Sequence, residues 1–342
     1  MFNFIRHYLH KIPSGRFYTY FSSKINRTNI GMIVSLHSIT RGNAVKNSSF
    51  NQFIELSDTN LEKNIIALKK LGVQFVRLSE LEAVFTENKK FRKPVVHLSF
   101  DDGYRDNYEL AFPILKKHNI PFSIFVVSDF MNNPAPFLWW YIADQLVTAK
   151  KNLSFDKYDF HISAETYRQQ QQAGVFARLR DFLLEHIDED RAYFETILRN
   201  AVGSNDNIPA TLSWDQLNEM IASGLCEAGI HTKTHARFKK FSRQQMEYEI
   251  ITCRDVIYQH TGIKPDWFAY SYGGIRDLAD KEDIKAVMQH CDIRLALCTV
   301  SGELNEQSNP YLLPRVFLND ASTTYTLKTR LNGSYQRSRP SI

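Results

Sequence analysis

The chain has little cysteine. Cys226, Cys253, Cys291 and Cys298 are its only four, and no two have the C-x-x-C spacing of a zinc knuckle or redox pair. That pattern predicts free thiols in a reducing compartment rather than a disulfide framework. No apolar run is long enough to span a bilayer, and the N-terminus lacks the uninterrupted apolar core of a signal peptide, so a cytoplasmic location is expected. Charge of one sign is also scarce. A net charge of +5 over 342 residues, without an aromatic-studded basic motif, predicts no nucleic-acid partner. Internal repeats are absent, as are linkers long enough to separate independent domains. What is there is a globular composition, 43% apolar and 13% aromatic, on a chain long enough to bury a substantial core.

The most informative stretch is Val95-Val96-His97-Leu98-Ser99-Phe100-Asp101-Asp102-Gly103-Tyr104, the pattern of a buried strand that ends on two carboxylates and a glycine turn. Successive strand side chains point to opposite faces, so Asp101 and Asp102 meet different environments and can take separate roles. Alone, Asp-Asp-Gly is a common solvated turn. A second apolar run leads into Gly229-Ile230-His231-Thr232-Lys233-Thr234-His235, with two imidazoles four positions apart. By itself that pair is one exposed face of a helix start. Together, one carboxylate and two imidazoles make a facial ligand set for a divalent metal, with positions open for water and substrate. A neighbouring carboxylate can then deprotonate the water.

These residues resemble the NodB-homology polysaccharide deacetylases (carbohydrate esterase family 4), which hydrolyse acetyl groups on glycans. Ser99-Phe100-Asp101-Asp102-Gly103 looks like the first family motif and His231-Thr232-Lys233-Thr234-His235 like the second. The resemblance implies Asp101 as general base and Asp102, His231 and His235 as ligands of a divalent ion, most simply Zn2+. It also implies an N-acetylated glycan or lipid-linked sugar as substrate. The third motif, Arg-x-Pro-Tyr, is half present in Ala269-Tyr270-Ser271-Tyr272: Tyr272 matches, and by analogy its backbone amide helps hold the oxyanion. The motif arginine is missing, and Arg315 is the candidate substitute as partner of Asp101, a surface or core-edge role being the alternative. The late Leu-x-His motif that supplies the catalytic acid is also absent, since no histidine follows His290. This pattern resembles the permuted branch that includes the poly-N-acetylglucosamine deacetylases, in which the acid comes from the first strand. His37 is then the candidate acid.

Along the chain, strand-like runs at Ile30 to Ser38, Val95 to Phe100, Pro121 to Val127, Trp267 to Tyr270 and Arg294 to Val300 alternate with helical periodicity. The helices are expected at Asp58 to Lys70, Asn107 to His118, Trp214 to Ala222 and Ser242 to His260. Such alternation argues for an α/β fold with a parallel sheet, and the resemblance selects a distorted (β/α) barrel of the NodB-homology type, with chemistry at the carboxyl ends of its strands. The expected division is a basic, aromatic N-terminal arm at 1–29, the barrel at 30–325 with a helical insertion at about 137–213, and a polar tail at 326–342. The cations and aromatics of residues 1–27 suit peripheral contact with a membrane surface, or packing on the domain itself. Trp139 and Trp140 open the insertion as its anchors or as sugar-stacking groups. Two other classes remain: a glycosidase on a similar barrel, and a glycan-binding protein that keeps the fold without the chemistry.

Overall fold

The structure, a computed structural model, describes residues 29–42, 50–203, 208–302, 304–320 and 322–331. The arm at 1–27 lies outside the described residues. Eight parallel strands form the main sheet: β1 (Gly31–Leu36), β2 (Gln74–Phe75), β3 (Val95–Asp102), β4 (Phe122–Val126), β5 (Cys226–Ile230), β6 (Trp267–Ala269), β7 (Leu295–Leu297) and β8 (Arg315–Phe317). Their order is β7-β6-β5-β4-β3-β1-β8, with β2 paired to the start of β3. A parallel bridge from Leu297 to Leu313, just before β8, brings the two edges together and nearly closes the barrel.

Alternation sorts the side chains. Val96, Leu98 and Phe100 of β3 face outward into an apolar layer shared with Leu61, Ile65 and Leu115 of the surrounding helices. Val95 joins Ile33, Phe125, Ala269 and Leu297 in a separate interior cluster. All eight residues of β3 are buried, as expected of a parallel strand covered on both faces. The same period carries Ser99 and Asp101 to the interior side, where Arg315 of β8 meets both.

Several expected elements differ in detail. β1 ends at Leu36, and Ser38–Thr40 leaves the barrel to pair with Glu55–Ser57, so His37 sits at the corner between two sheets. The helix expected from Asn107 opens with a π-helical turn over Asn107–Ala111 and becomes α-helical only at Phe112–His118. A helix at Thr324–Leu331 runs across the expected start of the polar tail at 326. It buries Leu327 and Leu331 and packs on β1 and on the Asp58–Lys70 helix, so the barrel extends beyond 325.

The insertion contains helices Trp139–Thr148, Ala164–Gln169, Gln172–His186 and Arg191–Val202, plus an antiparallel hairpin, Leu153–Phe155 with Phe160–Ile162, that helical periodicity did not indicate. It has its own apolar core, including Ile142, Leu146, Phe155, Leu179 and Phe194. Trp139 and Trp140 are only 2% and 7% exposed, as anchors are. Among the described residues no helix is long and apolar enough to cross a membrane.

Candidate metal centre

The carboxyl ends of β1, β3, β5, β6 and β8 converge on one cleft of about 230 Å3, lined by His37, Asp101, Asp102, His231, His235 and Tyr272 among others. All lie at strand ends because a parallel barrel points every strand the same way. The backbone there is strained. Asp102 (φ 70°), Thr232 (φ 67°), His235 (φ 62°) and Tyr272 (φ 63°) all occupy the left-handed region although none is glycine. Each such residue costs on the order of 1–3 kcal/mol and persists only where its surroundings impose it.

The segment His231 to His235 is a loop with both histidines buried and Lys233 and Thr234 half-buried, rather than the exposed start of a helix. Glu249 holds its centre, accepting hydrogen bonds from the backbone N–H and the hydroxyl of Thr234 at 2.8 and 2.9 Å. Lys233 reaches back to Asp129 at 2.7 Å. This pinning turns both imidazoles inward, so that Nε2 of His231 and Nε2 of His235 lie 3.3 and 3.2 Å from the same oxygen, Oδ1 of Asp102. One ligand atom from each residue falls within 4.8 Å of the other two.

The donor set fits a divalent cation. His231 Nδ1 donates to the Ala269 carbonyl at 2.8 Å, so a neutral His231 presents the Nε2 lone pair to Asp102. Oδ1 of Asp102 is buried without a hydrogen-bond partner. Lone pairs and a carboxylate aimed at one point repel unless a proton or a cation lies between them. Burial alone would push the Asp102 carboxyl up, but His235 and His231 outweigh it and hold it well below its ordinary value. His231 is held above its ordinary pKa, because Asp101 and Asp102 overcome the effect of burial, while His235 is lowered by burial.

Asp101 lies on the other side of the strand end. Its Oδ1 accepts from Arg315 Nη1 at 2.7 Å, and its Oδ2 lies 3.8 Å from His37 Nε2. Arg315 is fully buried and also donates to the Cys298 carbonyl at 3.0 Å and to Ser99 Oγ at 3.3 Å. Burial would raise the Asp101 carboxyl, but Arg315, then His231 and His37, bring it below the usual value. His37 stacks on Phe317 with ring centroids 5.6 Å apart, and burial lowers its pKa despite the pull of Asp101. Tyr272 lies with its ring 4.7 Å from that of His235 and its hydroxyl 3.0 Å from Trp139 Nε1. The structure thus gathers all seven sequence candidates in one place. Sequence reasoning missed the cleft walls: Phe53, Arg180, Leu184, Asp277 and Phe317 come from segments with no motif to mark them.

A parallel, nearly closed barrel with two histidines and paired acids at its strand ends has the architecture of the NodB-type hydrolases. The polysaccharide deacetylase family model matches residues 88–291, more than half of the chain, and the chain belongs to that family. It is 32% identical over 95 residues to YxkH of Bacillus subtilis (strain 168), a protein named for the same family, covering 28% of this chain and 31% of that one. It is 29% identical over 109 residues to a poly-beta-1,6-N-acetyl-D-glucosamine N-deacetylase of Staphylococcus aureus (strain MSSA476), covering 30% of this chain and 37% of that one. The matched segments therefore span about a third of the curated relatives' lengths. In fold, the chain is similar to the Streptococcus pyogenes deacetylase PplD, solved with acetate (TM-score 0.57, 16% identity, 88% of this chain and 97% of that one). IcaB from Ammonifex degensii is similar to the same degree, with TM-score 0.57, 17% identity and the same coverage.

Proposed function

We propose that this protein removes the acetyl group from an N-acetylated sugar of a bacterial surface polysaccharide or its precursor. The observation that carries this reading is the convergence of Asp102, His231 and His235 on one point, with a second, arginine-held carboxylate beside it. Asp102, His231 and His235 would hold a divalent ion, most simply zinc, whose chemistry is to polarise the acetyl carbonyl and make water a better acid. Asp101, kept ionised by Arg315, takes the proton of the attacking water at its free oxygen. His37, whose Nε2 lies 3.8 Å from the other oxygen of the same carboxylate, protonates the departing amine, which is a poor leaving group without that proton. Tyr272 lines the cleft, and its backbone amide serves the developing oxyanion in this reading. Arg315 takes the place of the arginine missing before Tyr272, arriving from the last strand instead of from β6.

The experiment is to incubate zinc-replete protein with N-acetylated oligosaccharides and follow acetate. Acetate release that Asp101→Asn abolishes is the expected result. Reducing sugar without acetate would mean a glycosidase, and tight binding without either product a glycan-binding protein.

A further inference from the structure

His231 and His235 are oriented by different means. His231 donates from Nδ1 to the Ala269 carbonyl at 2.8 Å, the usual way in which a metal-binding imidazole is held. Nδ1 of His235 is buried and has no hydrogen-bond partner. Besides the His231 ring at 5.2 Å, three aromatic walls enclose it instead: Tyr272 at 4.7 Å, Trp140 at 5.0 Å and Phe130 at 5.8 Å between centroids. Apart from the Asp102 oxygen that its Nε2 faces at 3.2 Å, its orientation is fixed by packing. Of the three walls, Trp140 and Phe130 sit in the insertion core and are tied to it, Trp140 also through its Nε1 donation to Tyr104 at 3.1 Å. Tyr272 belongs to an irregular loop, with a left-handed backbone and Gly273 (φ 60°) next to it. Its phenol end is held by Trp139 Nε1, which donates to the hydroxyl at 3.0 Å.

We propose that Trp139 is a positioning residue for His235, acting through Tyr272: its indole N–H pins the tyrosine ring that keeps the imidazole turned toward Asp102. The inference rests on the reading of Asp102, His231 and His235 as a metal centre. It gives the insertion a role at the site, because the first helical residue of Trp139–Thr148 supplies the tether and the next supplies a wall. Trp139 is 2% exposed and lines the cleft, so its indole holds this bond from within the wall of the site.

The test is zinc titration of the metal-stripped full-length chain, with cobalt absorption as a report on ligand geometry. Trp139→Phe keeps an aromatic ring and removes only the donor, and Tyr272→Phe removes the acceptor. Each is expected to weaken zinc binding by about 10–100-fold, as loss of a group that orients a ligand does, and to shift the cobalt d–d bands. Because both act through one bond, the double variant should bind no more weakly than either single one. Wild-type affinity in Trp139→Phe, or additive losses in the double variant, overturns the proposal. Wild-type protein that binds no zinc overturns the metal centre itself. Should Trp139→Phe fail to fold, Tyr272→Phe carries the test alone, and unchanged zinc affinity there counts against the proposal.

Discussion

Arg315 Nη1 lies 2.7 Å from Asp101 Oδ1, the two side chains being 0% and 1% exposed. They are 214 positions apart in sequence and meet only because β8 pairs with β1, which pairs with β3. Removing one member leaves the other as an unpaired buried charge, which costs about 3–5 kcal/mol. Arg315→Met is expected to lower unfolding stability by that order in urea denaturation and to raise the Asp101 pKa. In the wild type that pKa is depressed, so its stabilisation is present above the unfolded value and is lost as pH falls through the folded one. The variant should therefore lose activity at higher pH than the wild type on the acid side. Arg315→Lys should rescue little, since one ammonium cannot serve Asp101, Ser99 and the Cys298 carbonyl in the same geometry.

The two adjacent acids should separate cleanly. Asp102→Asn is expected to lose most of its bound metal, and Asp101→Asn to keep metal while losing at least about 10²-fold in turnover. Metal analysis of purified variants checks both. Loss of metal in Asp101→Asn alone would reverse the assignment.

Zinc affinity should fall with pH, because the metal must displace the proton on His231. That imidazole is held above its ordinary value, so competition should begin above about pH 6.5 and steepen below it. His235 is lowered and adds nothing until more acid conditions. Competition titrations between about pH 5 and 8 measure the slope, and a flat response would contradict the site.

His37→Ala is expected to reduce the rate by about 10²–10⁴-fold with metal content intact, the range for one positioned acid. Since the free-enzyme imidazole must carry the proton and burial lowers its pKa, kcat/KM should fall as pH rises through a value below that of an ordinary histidine. The variant should lack that alkaline limb. Near-normal activity would remove His37 from the mechanism.

Gly229 faces Phe125 across the β4–β5 pair, and a Cβ there would collide with the ring. Gly229→Ala should destabilise the fold by about 1–3 kcal/mol in urea. Being two positions before His231, it should also weaken zinc binding. A neutral result on both would mean that Phe125 yields freely.

The identity of the candidate ligands was legible in the sequence because it rests on local signals. Strand alternation put Asp101 and Asp102 on opposite sides, and the short spacing of His231 and His235 kept both in one segment, whose loop conformation only the structure shows. The apolar runs marked most of the strands for the same reason, since a parallel strand buried on both faces must be nearly continuous in Val, Ile, Leu and Phe, but the short β2 and β8 went unmarked. Where local signals were weak, the reading slipped. The polar stretch after Phe137 concealed a hairpin, and the polar end of the chain concealed the apolar face of Thr324–Leu331.

The amino-acid sequence by itself determined an α/β fold with a parallel sheet through strand and helix periodicity, while the barrel, the three candidate metal ligands and the candidate base followed from two short motifs and the family they resemble. Only the tertiary structure decided which arginine holds Asp101, that His37 shares that carboxylate, and that His235 is gripped by rings from three separate segments, Phe130, Trp140 and Tyr272. Those are meetings across the barrel between segments far apart in the chain. They depend on strand order and closure, which no local pattern of side chains encodes.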